Sequence, residues 1–88
     1  MGGVMNIIER SATRFAIQNA DGQELGYLDF HVDDVYYYLD YVYVNPVFRG
    51  QSVGQDIVKA AIAAAEQRNL KPMPICGYAK TIMQRNRL

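Results

Sequence analysis

The chain has 88 residues, half of them hydrophobic, and a formal net charge of zero. That length suits one domain, here 1–88, with a thin core, since chains of this size bury roughly 60–65% of their unfolded surface. A neutral balance argues against nucleic acid or an anionic membrane as the main partner, because both select basic surfaces. No run is apolar for long enough to span a bilayer and no signal-peptide pattern opens the chain, so the expected setting is cytoplasmic. Cys76 is the only cysteine and His31 the only histidine, which excludes an internal disulfide and leaves no zinc ligand set.

In chain order, 5–10 and 14–18 read as short strands. Asp21-Gly22 within "NADGQ" is a hairpin signal leading into a strand over 24–32. There Leu28, Phe30 and Val32 share one face, and Tyr27, Asp29 and His31 the other. Asp33-Asp34 marks the next turn, and "YYYLDYVYV" at 36–44 has the aromatic and β-branched content of a central strand. Pro46 ends it.

Residues 52–68 form the main predicted helix, with Gly54, Ile57, Val58, Ala61, Ile62 and Ala65 in one apolar stripe. Asn69 is its expected C-terminal stop. "KPMPIC" at 71–76 is a short extended run, and Pro72 and Pro74 place it at a sheet edge or beside a gap. "GYAKTIMQRNRL" closes the chain as a short helix with basic residues in its last turns. The order β-β-β-β-α-β-α describes an α/β (α+β) mixed sheet: an antiparallel meander, then a right-handed β-α-β unit that makes the last two strands parallel.

The chemistry concentrates at Arg49, Gly50, Gln51, Ser52, Val53 and Gly54, where a loop enters the main helix. The first amides of a helix lack internal partners and carry partial positive charge, so a loop aiming them at one point can hold a diphosphate. Gly50 and Gly54 permit close backbone approach, Arg49 adds charge, and Ser52 adds a hydroxyl. The plainer reading is a loop and an N-cap, with Ser52 capping a helix that starts at 53. Spacing alone does not separate the two.

An aromatic strand, "V-x-P-x-x-R-G-Q-x-x-G" and an amphipathic helix together resemble motif A of the GNAT acetyltransferase superfamily. "PICGYAK" after the motif helix is similar to the small single-domain GNAT-like group with a C-x-Y/F-A-K segment. The likeness spans about residues 14 to 84. Four positions depart from the pattern. Ser52 stands where the family has glycine, Asp56 brings a carboxylate into the first turn, and Tyr41-Val42 replace a frequent His-Thr pair.

The resemblance implies a splayed parallel pair of strands and acetyl-CoA as cosubstrate, with no metal. The diphosphate would lie on the amides of Gly50 to Gln55, and the pantetheine arm along the backbone of Val42, Tyr43 and Val44. An N–H of that strand would polarise the thioester carbonyl while a positioned amine attacks. Cys76 would line the site or carry the acetyl group, and Tyr78 would protonate the departing thiolate. The expected function is N-acetyl transfer to an unidentified amine, on a small molecule or a protein side chain. The alternative is a non-catalytic acyl-CoA-binding module or an interaction domain, and the expected state is a monomer or weak homodimer.

Each remaining candidate also has an ordinary reading. Cys76 can be a small buried hydrophobe, and the tyrosines of 36–43 can be sheet packing with one of them lining a groove. His31 and, less strongly, Asp40 are candidate bases, against a plain surface role on the strand. Lys80, Arg85 and Arg87 can meet the 3′-phosphate of CoA or form a solvated helix end.

Overall fold

The computed structural model describes residues 6–48, 50 and 52–87. Five strands form one sheet in the order β1-β2-β3-β4-β5, built from β1 (Asn6–Ser11), β2 (Arg14–Gln18), β3 (Glu24–Val32), β4 (Tyr36–Val44) and β5 (Lys71–Pro74). A 3-10 turn (Pro46–Phe48) leads to α1 (Val53–Gln67), and α2 (Gly77–Asn86) follows β5. Strands β1 to β4 pair antiparallel and β5 pairs parallel to β4. This is the mixed α+β sheet expected from the sequence, with boundaries moved by a residue or two. No helix among the described residues is long and apolar enough to cross a membrane.

The turns follow from their side chains. Asn19 Oδ1 accepts the amides of Asp21 and Gln23, and Gly22 takes a positive φ of 83° to close the β2–β3 hairpin. Asp33 Oδ1 accepts the amides of Val35 and Tyr36 at the β3–β4 turn, while Tyr38 donates its hydroxyl to Asp33 Oδ2. At the end of α1, Asn69 is left-handed (φ 58°) and donates to Glu66 O, while Leu70 donates to Ala65 O. That pair of bonds is a Schellman stop, which asparagine tolerates better than most residues. Pro72 and Pro74 fit because β5 is an edge strand that pairs only with β4.

The core lies between the sheet and α1. Ile57, Val58, Ala61 and Ala65 are fully buried against Leu28 and Leu39, and Ala79 of α2 joins the same cluster. Gly26 of β3 permits that contact, since a Cβ there would lie 2.7 Å from Ile57 Cδ1. Val32, expected to share the inner face with Leu28 and Phe30, is instead 43% exposed. It ends β3 next to the turn, where the sheet extends past its helical cover.

One feature of β4 departs from plain alternation. Asp29 pairs with Tyr41 but Phe30 pairs with Leu39, so Asp40 is an extra residue, a β-bulge. The bulge changes the phase of the strand. Tyr37 and Leu39 point inward before it, and Val42 points inward after it. Tyr36, Tyr38, Tyr41 and Tyr43 lie on the face turned away from α1, half-buried or exposed.

Candidate functional site

The parallel pair parts at the bulge. Register between β4 and β5 runs from Tyr36–Lys71 to Leu39–Pro74, and then Ile75 and Cys76 both donate their amides to Leu39 O. Beyond Leu39 the second half of β4 keeps β3 on one side but has no β5 on the other. A cleft of about 670 Å³ opens there. Its floor is Tyr41 to Val44, one end is Phe48, Gly50 and Ser52 to Gln55, and the far wall is Tyr78, Ile82, Arg85 and Asn86 of α2.

Among the described residues the first helical bond of α1 is Asp56 N–H to Ser52 O, so the amides of Val53, Gly54 and Gln55 precede the ladder. Gly50 has a positive φ of 83° with open space where a Cβ would stand. Ser52 is also left-handed, at φ 62° and ψ 23°, and its side chain makes no cap hydrogen bond. The expectation of a serine side-chain cap is therefore corrected. In this backbone region a short side chain is directed away from the N2 and N3 amides that a β-region cap would reach. Ser52 instead adopts a conformation natural to glycine. Among the described residues no side chain caps the amides of Val53, Gly54 and Gln55.

These features fit a diphosphate: helix amides with no partner among the described residues, an open approach at Gly50, and a cation, Arg85, on the facing wall. Arg85 was expected only as one of three basic tail residues; Lys80 and Arg87 do not line the cleft. Asp56 does not line it either. Arg49 and Gln51 lie outside the described residues.

Tyr78 lies across the first turn of α1. A Cβ on Gly54 would run into its hydroxyl and ring, so Gly54 is the notch that seats the phenol at the cleft. Sequence reasoning took Gly54 as a place for ligand approach; its contact here is with another part of the chain. Cys76 is placed differently. Its backbone stands at the parting of the strands, but its half-buried side chain packs on the core and is not part of the cleft lining. Sequence reasoning missed Phe48, Ile82 and Asn86. Phe48 carries no local signal, whereas Ile82 lies one turn past Tyr78 on the same face of α2, a spacing the sequence does contain.

A family model described as GCN5-related N-acetyl-transferase matches residues 14–88. The chain belongs to the GCN5-related N-acetyltransferase family. This GCN5-related domain is similar in structure to a GCN5-like putative N-acetyltransferase from Staphylococcus aureus, with a TM-score of 0.69 and 26% identity over 92% of this chain and 79% of that one. An aminoglycoside N-acetyltransferase solved with CoA gives a TM-score of 0.63 at 17% identity, over 88% of this chain and 58% of that one. Nourseothricin acetyltransferase gives 0.58 at 22% identity over 65% of this chain. The GCN5-related domain spans only 35% of that enzyme's length. No curated protein matches it by sequence.

Proposed function

We propose that this GCN5-related domain binds acetyl-CoA and transfers the acetyl group to an amine. The carrying observation is the cleft, in which the half of β4 that β5 does not cover meets α1 amides with no partner among the described residues. The diphosphate sits on the amides of Gly50 and Ser52 to Gln55, with Arg85 opposite. Pantetheine runs along Val42, Tyr43 and Val44, whose outer edge β5 has vacated. Tyr78, 45% exposed and in the cleft lining, is the group we assign to protonate the departing thiolate.

We favour direct transfer over a route through Cys76, because its side chain packs on the core. The segment Cys76, Tyr78, Ala79, Lys80 supports membership of the small single-domain group. Three of these residues have separate placements: Cys76 at the parting of the strands, Tyr78 in the cleft, and Ala79 fully buried.

Calorimetry with acetyl-CoA tests the binding reading, and no heat at millimolar ligand ends it. Thiol release from acetyl-CoA in the presence of an amine panel tests transfer. Binding without release leaves an acyl-CoA-binding module. Intact mass after acetyl-CoA treatment is expected to show no acetyl adduct on Cys76.

A further inference from the structure

We propose that the acceptor amine reaches the thioester from the open sheet face at the β4 bulge, where His31, held by Asp40, takes its proton. This rests on the transferase reading above. His31 Nδ1 lies 2.7 Å from Asp40 Oδ2. A carboxylate at Nδ1 holds the ring proton there, which leaves the Nε2 lone pair as the acceptor. Nothing among the described residues bonds Nε2, and the side chain is 55% exposed. The Tyr38 ring stacks on the imidazole at 4.3 Å and fixes its plane.

The bulge ties this pair to the cleft. Asp40 is the extra residue of β4, it immediately follows the last residue bonded to β5, and it precedes Tyr41 on the cleft floor. The same irregularity thus parts the strands and turns a carboxylate toward the histidine. The charge nearby suits an ammonium. Asp40 holds His31 and Asp33 lies near it, with Tyr38 and Tyr36 as ring faces; on the same face Arg14 is engaged by Asp29, and Lys71, paired with Tyr36, stands out at the β5 edge.

The balance is simple. His31 Nε2 takes one proton from the ammonium and yields it to water. The amine nitrogen bonds the acetyl carbon as the C–S bond breaks, and the second nitrogen proton ends on the CoA sulfur.

The test uses the whole chain with acetyl-CoA and two acceptors: N-α-acetyl-lysine, protonated at neutral pH, and hydroxylamine, largely neutral there. His31→Gln is expected to lower lysine acetylation by about 100-fold or more. Hydroxylamine acetylation and acetyl-CoA affinity should change far less. Asp40→Asn, a positioning change, is expected to lower kcat with KM unmoved. Arg14→Gln, which breaks another ion pair of the same face, should leave both rates alone. Wild-type rates in His31→Gln, or an equal loss with both acceptors, would overturn the assignment. Wild-type protein that binds acetyl-CoA yet acetylates neither acceptor overturns the transferase reading and this inference with it.

Discussion

Ser52 is a serine in a glycine's conformation. A left-handed φ costs a residue with a Cβ about 1–2 kcal/mol, and glycine's extra chain entropy returns about 0.5–1 of that. Ser52→Gly is therefore expected to stabilise the fold by about 0.5 kcal/mol, read from urea unfolding, without loss of acetyl-CoA affinity; a clear loss of stability would show that the hydroxyl has an unseen partner. Asp33 carries a different constraint. The Tyr38 hydroxyl first, then the amides of Tyr36 and Val35, hold its carboxyl below the usual range. Because the folded value is depressed, the associated stability is present above the unfolded pKa near 3.8 and is lost as pH falls through the folded one. Tyr38→Phe removes the largest cause. Carboxyl NMR should show Asp33 titrating higher in that variant, and acid unfolding should begin at higher pH; an unmoved Asp33 would refute the assignment.

At the scale of elements, the strands and both helices were legible because their patterns are period-specific. The 3.6 spacing of Ile57, Val58, Ala61 and Ala65 admits one helix face, and Pro72 and Pro74 admit only an edge. The bulge was not read, although its signal exists: Leu39 and Val42 are both inward yet three apart, which no regular strand allows. Tyrosines on both faces of β4 hid it. The docking of α2 on α1 was equally hidden, because it depends on a missing atom at Gly54. That contact predicts a change of sign. Gly54→Ala in the natural chain must displace Tyr78 and should destabilise. In a Tyr78→Ala background the clash is gone, and the same change should stabilise by up to about 1 kcal/mol through helix propensity. Additive effects in the double-mutant cycle would refute the notch.

For the whole molecule, the cleft was legible in outline because motif and gap lie in one short stretch of chain, whereas its far wall depends on how α2 folds back. That fold-back is possible because both helices share one small core, whose aromatic part is Phe15, Phe30 and Tyr37. Tyr37 is 1% exposed, stacked on Phe30 at 4.6 Å. Burial pushes its phenol up to about 12, with the Arg68 guanidinium opposing only in part. A raised folded pKa means the stability is complete below the unfolded value of 10 and is lost as pH climbs toward 12. Two units correspond to at most about 2–3 kcal/mol, a large share of a thin core's stability. Alkaline titration should therefore show Tyr37 ionising last, together with the loss of near-ultraviolet circular dichroism. Tyr37→Phe should retain its fold to higher pH, since phenylalanine keeps the stacking and has no proton to lose. If Tyr37→Phe unfolds at the same alkaline pH as the natural chain, another group governs the alkaline limit, and the phenol is less deeply held than its packing indicates.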